Sequence, residues 1–370
     1  MIKPKIYFYT IEEGDANKAR FQDLLVNLAE GFQQLGIEYY ASNNYWQTSP
    51  DSHHFLIQST PEVSHQDCDI VVLERHWYEK YGCLPNSLFA SNRQYKTVYF
   101  DCKDGIETPI WGREFRNFDF IFKTHYCKHT QYPANCHPWA FGLSQRVLNE
   151  LKYEVPWQEK KAHLLVNFRN KKIVHSLRAY VEKYFIPQIK RVIAIETASE
   201  DLTAFPQDPY HYLRWRQTGK RHYPDYYRRL EQARACACFG GFFLGPWYLD
   251  RHSQIAYYLF QTISKLGLKN DRIGQWDSWR LWESMAAGCV TFHVDFRKYG
   301  FELPVMPENW RHYIGIDLDN ISDSAEKIIA HPELLEQISK EGKKWAIKNY
   351  KPSATAKRFL KTVFKYDYSS

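Results

Sequence analysis

Residues 275–295 read QWDSWRLWESMAAGCVTFHVD. Asp277 or Ser278 can cap a helix running to Ala287, because short polar side chains accept hydrogen bonds from the free N–H groups of a first turn. Gly288 lies just past the end of that helix, and CVTFHV then reads as a buried strand. Helical spacing puts Arg280 and Glu283 one turn apart on one face. Leu281, Met285 and, with some spread, Ser284 and Ala287 cover the other faces. The small AAG segment permits close approach to the next strand or to a ligand. A carboxylate near the start of a helix, pointing into a crevice, can accept two hydrogen bonds from a ribose diol. An arginine beside it, with the helix dipole behind it, can hold a diphosphate. An exposed ion pair at the same spacing contributes only about 0.2–0.5 kcal/mol, so the surrounding chain has to decide between the two.

The chain before this stretch alternates strands and helices. KIYFYT at 5–10 is a strand, and residues 18–35 carry Phe21, Leu24, Leu25, Leu28 and Phe32 at helical spacing up to Gly36. IEYYAS, DIVVLE at 69–74, KTVYFD at 96–101 and DFIFKT at 119–124 are further short apolar runs with polar exits. LKYEVPWQEK near 150–160 breaks the pattern as a linker. It restarts with a strand at 163–168, a helix at 173–185, a helix at 223–234 and a strand at 235–241. After the opening stretch come a short strand at 314–317, two helices and an amphipathic segment at 352–365. Such alternation indicates open parallel sheets, with ligands beyond the carboxyl ends of the strands.

At 370 residues the chain suits two domains of ordinary size. A formal net charge of +7 favours anionic partners such as nucleotide phosphates, but the basic clusters (RNKK at 169–172, KRHY at 220–223) are too short for a nucleic-acid tail. On that ground no nucleic-acid partner is expected. Aromatics at 17% suit stacking on sugars as well as cores. The eight cysteines lack disulfide-framework spacing, and CKH at 127–129 with CH at 136–137 is a poor zinc signature. Unpaired cysteines and the absence of a long apolar segment point to the cytoplasm, with peripheral membrane contact permitted.

WRLWESMAAGCVTFHVD resembles the nucleotide-sugar-binding element of GT-B glycosyltransferases, nearest to the exostosin-like pattern of an Arg-Leu-x-Glu helix, an Ala-Gly-Cys turn and a strand. HLLVNFRN at 163–170 followed by Leu177-Arg178 is similar to that family's opening strand, turn and Ile-Arg-type helix. YYRRLEQARACACFGG at 226–241 resembles its Tyr-x-x-x-Leu helix, Phe-Cys-Leu-type strand and Gly-containing loop. The resemblance covers about 160–365; the first part of the chain matches only in its strand–helix rhythm. Arg169 or Asn170 stands where a glycine is expected, and Thr291 where a proline is.

The resemblance implies an α/β protein of two Rossmann-like domains facing each other across a cleft. Residues 1–152 would form the acceptor side, 160–350 would bind a nucleotide-sugar, and 351–370 would cross back to the first domain. Glu283 would bind the donor ribose. Arg280 and Arg178 would face its diphosphate, with Asn167 and Arg169 near the same phosphates. Gly240 and Gly241 would let the backbone approach the nucleotide, and Tyr226 would pack. Fixed positive groups would stabilise charge developing on the leaving diphosphate. With DLD at 317–319 read as a polar loop, no metal and no cofactor is expected. The implied activity is transfer of a sugar from a UDP- or GDP-linked donor to a hydroxyl of a glycan, lipid-linked or small-molecule acceptor. An epimerase on the same fold and a non-catalytic nucleotide-sugar-binding module are the alternatives.

A general base would come from a strand end of the first half: Glu12, Glu13, Asp15, Glu74, His76, Asp101 or His125. Asp15 and Asp101 come first, as carboxylates, and His125 next. The aromatic, basic segments at 214–225 and 240–252 either line the crevice, with Trp247 or Tyr248 stacking on a sugar, or pack on themselves.

Overall fold

The computed structural model describes residues 3–107, 112–168, 175–197, 205–244 and 272–365. The strands of the first half are β1 (Ile6–Tyr9), β2 (Tyr39–Ala41), β3 (Tyr45–Gln47), β4 (Phe55–Ile57), β5 (Ile70–Glu74), β6 (Lys96–Asp101), β7 (Phe120–Lys123) and β8 (Cys136–Pro138). Those of the second half are β9 (Lys161–Val166), β10 (Ala194–Thr197), β11 (Ala233–Ala237), β12 (Val290–Val294) and β13 (Ile314–Ile316). The helices are α1 (Asp23–Leu35), α2 (Arg75–Tyr81), α3 (Gln145–Glu150), α4 (Ser176–Tyr180), α5 (Ile186–Ile189), α6 (Pro209–Gln217), α7 (Pro224–Gln232), α8 (Trp279–Ala286), α9 (Ile321–Ala330), α10 (Leu334–Tyr350) and α11 (Pro352–Phe364).

Two sheets result. One has the order β2-β1-β5-β6-β7-β8 and the other β10-β9-β11-β12-β13. Every pairing within them is parallel; β3 and β4 form a separate antiparallel pair. β1 and β5 are buried along their whole length, as parallel strands covered on both faces are. This is the architecture of two Rossmann-like halves across a cleft. Among the described residues no helix is long and apolar enough to cross a membrane.

Local differences from the sequence reading have local causes. α1 starts at Asp23 rather than 18, because the Gln22 amide pairs with both the N–H and the carbonyl of Ile11 at 3.1 Å and closes the preceding residues into a loop. Gly36 ends it at φ 62°, a left-handed turn that costs glycine little. The helix expected over 173–185 is described from Ser176. It passes through a π turn at Val181–Phe185 into α5, where Pro187 has no N–H to donate.

α11 crosses to the first half. Its Ala356, Phe359, Leu360 and Val363 belong to the apolar core built by β1, β5, β6 and α1. The contact depends on Gly31: a Cβ there would lie 2.3 Å from the Pro352 oxygen and 2.6 Å from the Ala356 Cβ. Overpacking of this kind costs about 1–3 kcal/mol. Gly31→Ala is therefore expected to lower the urea midpoint by that amount of stability; an unchanged midpoint would mean that the two helices separate freely.

Candidate functional site

The carboxyl ends of both sheets converge on the residues leading into α8. His125, two residues past β7, is fully buried, and its Nδ1 accepts from the backbone N–H groups of Trp276 (3.3 Å) and Asp277 (3.0 Å). Gln275 donates to Asp104 at 2.6 Å. Asp277 accepts from the Phe141 N–H at 3.0 Å with one oxygen and from Trp282 Nε1 at 2.8 Å with the other. Both Asp277 oxygens are thus engaged, and burial pushes its carboxyl up from its ordinary pKa. The cap at Ser278 makes no side-chain hydrogen bond. Trp279, the first residue of α8, donates to Asp23 at 2.5 Å and packs edge-on against Phe21 and Phe141. The start of α8 is fastened to the first half by four residues, Gln275, Trp276, Asp277 and Trp279.

One turn in, Glu283 is buried and held by two tyrosines. Tyr226 donates to its Oε2 at 3.0 Å and Tyr227 to its Oε1 at 3.3 Å. Arg146 in turn donates to the Tyr227 hydroxyl. Burial, then the negative charge of Glu283, pushes the Tyr226 phenol well above its ordinary range, so it stays a donor. An ionised carboxylate offers about four acceptor positions, so two remain for a ligand. Arg280 acts electrostatically on the same Tyr226 with the opposite sign, and its Nε is buried with no hydrogen-bond partner. Arg280 and Glu283 therefore both act on one phenol, from the second and fifth residues of α8. The expectation that Tyr226 only packs is corrected: its hydroxyl fixes the carboxylate.

The other expected donor-side residues sit around the same edge. Asn167 immediately follows β9 and is half-buried. Arg178 is buried, lies over the Phe168 ring at 5.7 Å and reaches the Phe239 oxygen at 3.5 Å. Gly240 and Gly241 face the chain at Gln275: a Cβ would lie 1.9 Å from the Gln275 carbonyl oxygen at the first and 2.0 Å from its Oε1 at the second. Gly240 is needed there by the protein's own backbone, whereas the neighbour of Gly241 is a side-chain oxygen that can move. Arg169, Trp247 and Tyr248 lie outside the described residues.

The three leading base candidates do not come together. Asp15 is exposed, and one oxygen accepts from the N–H groups of Asn17 and Lys18. Asp101 is fully buried, paired with Lys123 at 2.9 Å through one oxygen and bonded to the Lys103 N–H at 3.0 Å through the other. His125 accepts at Nδ1, so its neutral ring carries the proton on Nε2, which is buried without a hydrogen-bond partner and lies 3.6 Å from Asp104. That nitrogen can donate to a substrate oxygen but cannot take its proton. The segment at 214–225 is a clasp between the halves. Arg214 lies between the Trp46 and Tyr210 rings and donates to the Gln47 and Thr48 carbonyls at 2.7 Å each, while Gln217 reaches Glu13 at 2.8 Å.

Strands, cleft and crossing helix together give the fold of the GT-B glycosyltransferases. Among solved structures that share it, an alpha-glucosyltransferase in complex with UDP and a 13-mer DNA containing a central A:G mismatch matches with a TM-score of 0.52 and 11% identity, over 98% of this chain and 100% of that one. AviGT4, a glycosyltransferase involved in avilamycin A biosynthesis, matches with a TM-score of 0.52 and 12% identity over 98% and 97%. The alpha-glucosyltransferase with UDP-glucose and DNA containing an abasic site matches with a TM-score of 0.50 and 11% identity over 98% and 100%. No family model and no curated protein matches the sequence. The expectation of no nucleic-acid partner is withdrawn. The scattering of basic residues was its only ground, and proteins of this fold bind DNA in two of these structures.

Proposed function

We propose that the chain is a glycosyltransferase that moves a sugar from a UDP- or GDP-linked donor to an acceptor hydroxyl, of exostosin-like type. The observation that carries this reading is the pair Arg280 and Glu283, which act on the same Tyr226 phenol from one turn apart on a helix whose start is tied to the opposite half. Residues 160–350 take the donor, 1–152 the acceptor, and 351–370 tie the two together. Glu283, held by Tyr226 and Tyr227, accepts from the ribose hydroxyls. Arg280, with Arg178 and Asn167 beside it and the amino end of α8 behind it, faces the diphosphate and stabilises the charge that grows there as the glycosidic bond breaks. In this reading side chains and the helix end carry that charge without a metal. His125 Nε2 donates to an oxygen of the bound sugar or phosphate. The eight unpaired cysteines suit a reducing cytoplasm.

A thermal-shift comparison of UDP, GDP and their sugars tests the reading. A ligand at 100 times its dissociation constant stabilises by about 2.7 kcal/mol, so one nucleotide class should raise the melting temperature clearly. Its release should then depend on an acceptor, with a glycan, a lipid-linked sugar, a small alcohol and duplex DNA supplied in parallel. If no nucleotide shifts melting, the proposal fails.

A further inference from the structure

Away from α8, three side chains of the first half converge at the carboxyl ends of β5 and β6. Glu74 is the last residue of β5, His76 stands in the first turn of α2, and Cys102 directly follows β6. β5 and β6 are neighbours in parallel register, with Glu74 opposite Phe100. This brings the two exits side by side at the edge where open α/β sheets hold their ligands. Glu74 Oε1 lies 3.1 Å from His76 Nδ1 and 3.2 Å from Cys102 Sγ, and one ligand-type atom from each of the three falls within 4.8 Å of the others. Tetrahedral zinc bonds of about 2.0–2.3 Å set ligand atoms about 3.3–3.8 Å apart, so the cluster has only to open slightly around an ion.

A second observation points the same way. Glu74 is fully buried, and its other oxygen, Oε2, has no hydrogen-bond partner. A buried carboxylate oxygen without a partner is costly unless a positive charge is near. The adjacent arginines are turned elsewhere: Arg75 binds Glu79 at 2.5 Å, and Arg20 reaches Glu79 at 3.6 Å and the His76 carbonyl at 3.5 Å. A divalent cation would satisfy that oxygen.

A second cluster, Glu150, His211 and His222, also gathers ligand-type atoms, but its hydrogen bonding opposes a metal. Arg146, which can only donate, faces His222 Nδ1 at 3.1 Å, so the His222 proton sits on Nε2 and is given to His211 Nδ1 at 3.1 Å. The nitrogens that would bind an ion are already used. In the first cluster His76 Nδ1 and Cys102 Sγ both point at the same acceptor; an ion would displace the thiol proton and bind Nδ1 of the neutral imidazole, whose proton moves to Nε2.

We propose that Glu74, His76 and Cys102 bind one divalent transition-metal ion of the zinc class. The thiolate and imidazole select zinc or cobalt over magnesium and calcium. Three protein ligands leave a fourth position for water or a substrate hydroxyl, the arrangement of zinc sites that do chemistry rather than brace a fold. The site is separate from the diphosphate side of the cleft and stands whether or not the chain transfers sugars.

The full chain, stripped with a chelator and titrated with Co2+, tests this. The expected result is one cobalt per chain, with the visible bands of a four-coordinate ion and a thiolate-to-cobalt charge-transfer band, all displaced by Zn2+. Cys102→Ser should erase the charge-transfer band. His76→Gln, which keeps a donor toward Glu74 and whose folding is checked by its melting temperature, should weaken cobalt binding by more than the roughly 10–100-fold lost with an outer-shell partner. No uptake of cobalt by the unaltered chain overturns the proposal. So does a charge-transfer band that survives Cys102→Ser, since another cysteine would then be the ligand.

Discussion

Glu283→Gln is expected to leave the fold intact and to cut affinity for the nucleotide donor by at least about tenfold. Each hydrogen bond to an ionised carboxylate is worth about 1.5–3 kcal/mol, and the ribose diol would make two. Glutamine keeps the size and one carbonyl oxygen, so one tyrosine hydroxyl keeps its acceptor. It loses the charge, and its amide turns donors toward donors. Glu283→Ala should go further and abolish measurable binding. It also strips the acceptor from both Tyr226 and Tyr227, and although the Tyr227 hydroxyl still accepts from Arg146, each lost acceptor costs about 1–3 kcal/mol. A larger fall in melting temperature is thus expected for alanine than for glutamine. Isothermal titration with the nucleotide identified by thermal shift distinguishes the cases. Unchanged affinity in Glu283→Gln would remove the carboxylate from the donor site.

Arg280→Ala should act on rate. Removing one fixed group that stabilises developing charge typically lowers kcat by about 10²–10³, or about 2.7–4 kcal/mol. The stability cost should be small, because the buried Nε of Arg280 has no hydrogen-bond partner to lose. A steady-state comparison with kcat falling by that factor and melting temperature held is the expected pattern. Loss confined to KM would place the arginine in ground-state binding alone, and no change in either would remove it from the diphosphate.

Most parallel strands were legible because each is a short apolar run closed by a polar residue, and α8 because Leu281, Met285 and the AAG stop share one helical frame; the edge strands β8 and β10 carry no such run and were not. Contacts set by register were not. Asp101 reads as an available carboxylate at a strand end, but it stands directly opposite Lys123 on β7, 22 residues on, and the buried ion pair follows from that pairing. Tyr226 and Tyr227 lie 57 and 56 residues before Glu283, a separation no local period links. The segment containing Arg214 read equally as a cleft lining or as loops packed on themselves, because aromatic and basic residues suit both; its partners, Trp46 and the Gln47 and Thr48 carbonyls, decide. Glu74 and His76 were visible at a strand exit, but Cys102 read as a small buried apolar residue, and the convergence of the three depended on β5 lying beside β6.

The last helix has a bearing on how this chain is made. Phe359, Leu360 and Val363 are buried against Phe32 and the strands of the opening 130 residues. A ribosome delivers them long after β1 and α1, so the first sheet waits through synthesis of the whole second sheet with an apolar flank uncovered. Segments in that condition invite aggregation and chaperones. A truncation that drops α11 should therefore harm the first sheet most, and nascent chains should gain protease resistance there only once α11 has emerged.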